Sequence, residues 1–214
     1  MKLVLSGNMA NIIDDVRKAN RNFLTYPEAK LLCKRYNIPT PDYRIAKTRE
    51  ETSEILKELG FPLVGKIVSS GIIHKTESGG VVTGIKSSEE ATQAFEEIIS
   101  RVKQRNPTEP IEGVLFERME PSGTEFIVGS TYDPQFGKVL MFGLGGVFVQ
   151  LLKDATFRLI PVPREQARSM LSEIRSRDIL NGYRDLRPID RNAIIDILCA
   201  TSRLITENDE IAEL

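Results

Sequence analysis

Lys66-Ile67-Val68-Ser69-Ser70-Gly71-Ile72-Ile73-His74-Lys75-Thr76-Glu77-Ser78-Gly79-Gly80-Val81 is the stretch on which the reading of this chain turns. An apolar run delivers Lys66, a polar loop carries His74 and Lys75, and paired glycines lead into the next apolar run. Gly79 and Gly80 tolerate positive φ and close backbone approach, so their amides can point at a phosphate oxygen. Lys66 and Lys75 would supply the compensating charge. His74 is the sole histidine. A neutral imidazole is nucleophilic near physiological pH and, once phosphorylated, its nitrogen leaves readily, which suits a phosphoryl carrier. Glu77 is placed to take a proton from the other ring nitrogen and fix the tautomer. The same residue types also fit an ordinary surface loop, and by themselves they leave both readings open.

Outward from this stretch, strands and helices alternate. A hydroxyl residue followed three positions later by Glu predicts helix starts near Thr25, Thr48 and Ser87, with Glu28, Glu51 and Glu90 completing the capping boxes. The first helix runs through Leu31, Leu32 and Tyr36 and stops before Pro39 and Pro41. Ser122 with Glu125 matches the same pattern, but the β-branched run after it reads as a strand. Short apolar runs at Tyr43–Ala46, Phe61–Val68, Val81–Ile85 and Val114–Met119 predict strands. Glu125–Tyr132 and Lys138–Phe142 around Asp133-Pro134-Gln135-Phe136-Gly137 predict an antiparallel hairpin, with a further strand at Thr156–Pro161. Two charged helices are expected at Arg164–Arg175 and Asp190–Ile205. Two prolines within Asn106–Pro110 mark the expected lobe boundary. This gives an N-terminal extension over 1–24, a first lobe over 25–110 and a second over 111–214.

Composition narrows the class. The chain has 214 residues, 41% of them hydrophobic, enough for a substantial core. Its 29 basic and 30 acidic side chains nearly cancel, so no net field favours nucleic acid or an anionic membrane. No apolar run reaches membrane-spanning length and the first residues are too short for a secretory signal, which predicts a cytoplasmic protein. Cys33 and Cys199 lie far apart on apolar helix faces and are read as packing residues, without disulfide or zinc spacing.

The motif H-K-T-E-S-G-G-V at His74–Val81, preceded by F-P-L-V-G-K-I-V-S at Phe61–Ser69, resembles the β subunit, or equivalent domain, of the ADP-forming acetyl-CoA synthetases. The likeness continues through E-G-V-L-F-E-R-M at Glu112–Met119, E-F-I-V-G-S-T-Y-D-P-Q-F-G at Glu125–Gly137 and M-F-G-L-G-G-V-F-V at Met141–Val149. It implies an α+β, ATP-grasp fold with two lobes around a nucleotide cleft, ATP/ADP and Mg2+ as cofactors, and a CoA-binding α subunit as partner in an α2β2 heterotetramer. The implied reaction converts acyl-CoA, ADP and phosphate to carboxylic acid, CoA and ATP. His74 matches the family's β-side histidine, proposed as a second phosphoryl carrier.

The resemblance also assigns roles to other positions. Lys66, expected at a strand end facing the cleft, would clamp nucleotide phosphates, with Lys30 a weaker phosphate candidate. Glu117-Arg118-Met119 falls where an inter-lobe strand receives adenine through backbone groups and an acidic side chain. Glu125 falls where a carboxylate meets the ribose hydroxyls, and Gly143, Gly145 and Gly146 would border the cleft. The family pattern continues into D-I-N-P-like and D-A-R-like strands that carry the magnesium ligands, whereas this chain is written to Glu210-Ile211-Ala212-Glu213-Leu214. No metal ligand is therefore assigned, and a truncated chain impaired in turnover is expected. Other readings are a different ATP-grasp carboxylate ligase and a non-catalytic nucleotide-binding or interaction subunit.

Overall fold

A computed structural model describes residues 12–56, 59–146, 154–182 and 187–214. Most of the expected extension, residues 1–11, lies outside them, as do Val147–Val149 at the end of the last matching motif. The chain forms two compact units, Met1–Leu32 with Thr40–Pro121, and Cys33–Pro39 with Ser122–Leu214.

In the first unit, α1 (Ile12–Lys18) and α2 (Tyr26–Arg35) precede β1 (Tyr43–Ala46), α3 (Arg49–Ile55), β2 (Leu63–Val68), β3 (Val81–Ile85), α4 (Ser88–Arg105) and β4 (Gly113–Arg118). The helix starts follow from the hydroxyl–Glu pairs. At Thr48 and Ser87 the side chain accepts from the amide of Glu51 or Glu90. Each glutamate reaches back to the amide one residue before the cap, of Lys47 or Lys86, at 2.7 Å. At Thr25 the Glu28 carboxylate accepts from both the amide and the hydroxyl, and a bidentate pair with Arg21 braces it.

The four strands form an antiparallel sheet in the order β1-β4-β2-β3. Alternation along β2 and β4 sends Leu63, Ile67, Val114 and Phe116 into one core with Leu56, Phe95, Ile98 and Val102. Gly65 lets this layer close, since a Cβ there would stand 3.1 Å from Ile98 Cδ1 and 3.2 Å from the Phe116 ring. The opposite face carries Lys66, Leu115, Glu117 and Tyr43, with Lys66 opposite Leu115 and both Val64 and Tyr43 opposite Glu117.

The boundary expected within Asn106–Pro110 lies instead inside the first unit, which runs on to Pro121. The two prolines end α4, whose cap amide at Asn106 still reaches Val102 O, without ending the unit. β4 then returns between β1 and β2, because Val114 and Phe116 complete the core begun before the turn.

The second unit contains β5 (Phe126–Asp133), β6 (Gly137–Leu144), β7 (Ala155–Leu159), α5 (Arg164–Glu173), a 3-10 turn (Arg177–Asn181) and α6 (Arg191–Glu207). Its sheet is antiparallel in the order β5-β6-β7. The expected hairpin closes at Asp133, whose carboxylate accepts from the amides of Gln135 and Phe136, and at Gly137 with φ +82°. Ser122 and Glu125 start no helix; β5 comes directly after them. Leu140 and Phe142 point into a core with Met170, Leu171, Ile174, Ile194 and Leu198, against which half-buried Cys199 packs. Cys33 is also half-buried. The segment Cys33–Pro39 belongs here because the Tyr36 hydroxyl donates to Glu207 at 2.9 Å and accepts from Asn208 at 2.8 Å. No helix among the described residues is long and apolar enough to cross a membrane.

Asp154 is a buried carboxylate that sequence reading passed over. It accepts from the amides of Arg175 and Ser176 and from the Ser176 hydroxyl, at 2.7, 2.8 and 2.5 Å. Burial opposes its charge, but these bonds outweigh burial and hold its pKa below the usual aspartate value. A depressed carboxylate stabilises the fold fully above the unfolded pKa, about 3.9, and loses that contribution as pH falls through the lower folded value. Asp154→Ala is expected to cost about 2 kcal/mol at neutral pH. Thermal unfolding followed by circular dichroism should show this gap closing as the pH is taken below about 4.

Candidate functional site

On the face of the first sheet opposite the Leu63–Phe116 core, three lysines gather around one carboxylate and one phenol. Glu117 is 4% exposed. Its Oε2 accepts from Lys30 Nζ and its Oε1 from Lys66 Nζ, both at 2.5 Å. The Tyr26 hydroxyl donates to Glu117 Oε1 at 3.1 Å and accepts from Lys66 Nζ at 3.0 Å. The ammonium groups of Lys66, Lys30 and Lys75 lie 4.5, 5.2 and 5.3 Å from the Tyr26 ring centre. Such distances place all three within cation–π range of a single ring.

The electrostatics follow from that arrangement. Burial would raise the pKa of Glu117, but the bonds and charges of Lys30 and Lys66 outweigh it and hold it below the usual glutamate value. Burial would lower the pKa of Lys66, and its bonds to Glu117 and Tyr26 reverse the sign and raise it. Lys75 has no such carboxylate among the described residues. Burial first, and then the neighbouring Lys66 charge, push its pKa down. One carboxylate thus faces three ammonium groups, and Lys75 carries charge that no partner in this cluster neutralises. An anion is the natural complement.

Lys66 sits in the interior of β2 rather than at a strand end, with its side chain 24% exposed. Lys30 is 4% exposed and serves chiefly as the buried partner of Glu117. Met119 comes after β4 and is part-exposed; its amide already donates to Pro62 O at 2.9 Å. That bond continues the β2–β4 ladder past its last register pair.

The histidine loop leaves β2 and returns to β3 through a run of turns over residues 75–79. Its backbone is closely tied. Ser78 donates to His74 O through its amide at 3.1 Å and its hydroxyl at 2.8 Å, Gly80 N donates to Lys75 O at 2.7 Å, and Arg105 of α4 donates to Glu77 O at 2.6 Å. Gly79 has φ +73°. A Cβ on Gly80 would stand 2.4 Å from Ile67 Cγ2, so glycine is required there for the loop to close onto β2. The His74 side chain is exposed, and among the described residues no hydrogen bond joins its ring to Glu77. Lys75 is turned toward the Tyr26 ring, so the residue after the histidine belongs to the lysine cluster.

In the second unit, Glu125 is exposed just ahead of β5 and accepts from Gly145 N at 2.7 Å through its carbonyl. A Cβ on Gly145 would stand 2.8 Å from the Glu125 backbone, and one on Gly146, at φ +62°, 2.7 Å from Glu125 Oε2. Gly143 lies against Asp154 O, which a Cβ would approach to 2.5 Å. The glycine-rich stretch therefore borders Glu125 and β7, where side chains would not fit.

A family model for the ATP-grasp domain matches residues 15–214. The chain belongs to the ATP-grasp family. Within it, the chain is 43% identical over 203 residues to subunit beta of acetate–CoA ligase [ADP-forming] I from Pyrococcus furiosus, covering 95% of this chain and 87% of that one. It is 37% identical over 203 residues to 4-hydroxybutyrate–CoA ligase [ADP-forming] of Nitrosopumilus maritimus, 29% of that protein. Among solved structures it resembles Ca. Korarchaeum cryptofilum dinucleotide forming acetyl-coenzyme A synthetase 1 in complex with coenzyme A and Ca-AMPCP, with TM-score 0.91 and 42% identity over 94% of this chain and 88% of that one. This ATP-grasp chain is accordingly a member of the β-subunit group of ADP-forming acetate–CoA ligases, and its α+β architecture is the one the motifs implied.

Sequence reading named Lys30, Lys66, Lys75 and Glu117, and the fold brings them together. It missed Tyr26, which touches all four. The only signal was its place directly after the Thr25 cap, and that pattern speaks of helix starts, not of sites. Among the described residues no three His, Cys, Asp or Glu side chains assemble as a metal cluster. The groups present thus fit a polyanion, and no ligand set for a divalent cation is assigned.

Proposed function

We propose that this ATP-grasp chain is the nucleotide-handling β subunit of an ADP-forming acyl-CoA synthetase, and that His74 carries a phosphoryl group between a CoA-binding α subunit and ADP. The observation that supports it is the excess cationic charge around Tyr26, reached by the same loop that exposes His74. Lys66 and Lys75 hold the nucleotide phosphates; the amides of Gly79 and Gly80, expected from the sequence to meet a phosphate oxygen, instead donate to Thr76 O at 3.0 Å and Lys75 O at 2.7 Å and close the loop. Met119 serves adenine recognition through its carbonyl, its amide being bonded to Pro62 O, and Glu125 the ribose hydroxyls; Glu117, expected from the sequence to meet adenine, has both carboxylate oxygens bonded to lysine and anchors Lys30 and Lys66 instead. Magnesium, expected of the family, would screen charge between phosphates when bound.

The transfer proceeds in two displacements. The neutral His74 nitrogen attacks the phosphorus of the partner's phosphorylated group, forming an N–P bond as the bond to the partner breaks. A terminal oxygen of ADP then attacks the same phosphorus, forming an O–P bond while the His74 nitrogen keeps the electron pair of the broken N–P bond. Glu77 reaches the ring only through a side-chain movement, and would fix the tautomer from there. Acyl selection is assigned to the partner, consistent with related ligases named for different acids. An α2β2 assembly follows the family pattern.

Lys66→Met tests the phosphate assignment. Loss of one charge-assisted bond of about 1.5–3 kcal/mol is expected to weaken ADP binding roughly 10- to 100-fold in calorimetric titration. Unchanged affinity would remove Lys66 from the site.

A further inference from the structure

We infer that Tyr26 is a positioning residue that holds Lys66 and Lys75 at the spacing and orientation that receive a nucleotide diphosphate. This rests on the reading of those lysines as the phosphate site. Lys66 and Lys75 carry like charges and repel, and Lys75 has no carboxylate in the cluster to fix it. What they share is the Tyr26 ring, 4.5 and 5.3 Å from their ammonium groups. The ring's negative face attracts each cation and costs no counter-charge, so the attraction organises the lysines without neutralising the charge that an anion needs. A carboxylate in its place would compete with the ligand.

The hydroxyl adds orientation. It accepts from Lys66 at 3.0 Å and donates to Glu117 at 3.1 Å, placing Lys66 between two acceptors and leaving its third proton for a ligand. Burial first, and then the nearby Glu117 against the opposing Lys66, keeps the phenol pKa above its usual value, so the hydroxyl stays a donor at neutral pH. Tyr26 itself is held on a rigid start of α2, where Thr25, Glu28 and Arg21 interlock.

The test compares Tyr26→Phe, Tyr26→Leu and Lys66→Met in the full chain assembled with its CoA-binding partner, by ADP calorimetry from neutral pH to about 11.5, past the ordinary lysine pKa, and by steady-state ATP formation. Tyr26→Leu is expected to weaken ADP binding about tenfold or more. Tyr26→Phe, which keeps the ring, should weaken it only about threefold. In both, KM for ADP rises more than kcat falls. Lys75, with its lowered pKa, gives the first alkaline loss of ADP affinity; removing the hydroxyl takes away an acceptor that raises the Lys66 pKa, so the later loss that belongs to Lys66 begins at lower pH in Tyr26→Phe. A residue that merely supports the fold would not move that limb. Should Tyr26→Leu fail to fold, the Tyr26→Phe limb decides. Wild-type affinity and an unmoved limb in the Tyr26 variants, with ADP lost in Lys66→Met, would overturn the positioning role and leave the phosphate site standing. Wild-type ADP binding in Lys66→Met would remove the site itself.

Discussion

His74→Ala is expected to reduce ATP formation from acyl-CoA, ADP and phosphate by at least about a thousandfold when the chain is combined with its CoA-binding partner. A covalent carrier has no substitute, because without the ring nitrogen neither the N–P bond nor its breakdown toward ADP can form. ADP affinity in the same variant should stay within about twofold of wild type. His74 is exposed and its side chain lies outside the Lys30–Lys66–Glu117 network, so its removal leaves that network whole. The comparison separates chemistry from binding. Full ATP formation by His74→Ala would sink the carrier role, and loss of ADP binding would make the residue a ligand contact instead.

The second large effect is on stability. Glu117→Ala leaves Lys30, 4% exposed, without its counter-charge, and removes the carboxylate that Lys66 and Tyr26 share. Truncating one member of a buried pair costs about 3–5 kcal/mol, because the other charge remains desolvated. For a chain of this size that corresponds to a fall in Tm on the order of 10 °C. Lys30→Met should cost less, since Glu117 keeps Lys66 and Tyr26. The sign with pH follows from both shifts. The depressed Glu117 contributes fully above about 4.3, its unfolded value, and loses its contribution as acid carries the pH through its lower folded value. The raised Lys66 contributes fully below about 10.4 and fades as the pH rises through its higher folded value. The gap between wild type and Glu117→Ala in thermal unfolding should therefore be flat across neutral pH and close at the acid end. Equal melting of the two proteins at pH 7 would mean that the pair is not buried in solution.

Local patterns in the chain carried much of this. The hydroxyl–Glu pairs at Thr25, Thr48 and Ser87 mark real helix starts because each pair satisfies donors within four residues of itself. The Asp133–Gly137 turn is equally local. The boundary was misplaced because prolines report only that an element stops. Whether β4 joins the first sheet or the second depends on Val114 and Phe116 meeting Ile98 and Val102, a long-range contact that no local pattern encodes. The site shows the same division. Lys66, Lys75 and Glu117 were visible through motifs, whereas their grouping about Tyr26 depends on α2 lying over the strand pair β2–β4, with Glu117 and Tyr26 separated by 91 positions in the chain. Asp154 was invisible for a similar reason, since its partners Arg175 and Ser176 come from beyond β7 and α5.

The role of His74 is tested most directly by following the phosphoryl group itself. The full chain, mixed with its partner and γ-labelled ATP, is quenched within one turnover and the β chain is digested and mapped by mass spectrometry. Label stable to alkali and lost in acid is expected on the peptide bearing His74, disappearing on addition of ADP at least as fast as ATP is formed in turnover. ATP formation at the full rate with no label ever found on that peptide would contradict it.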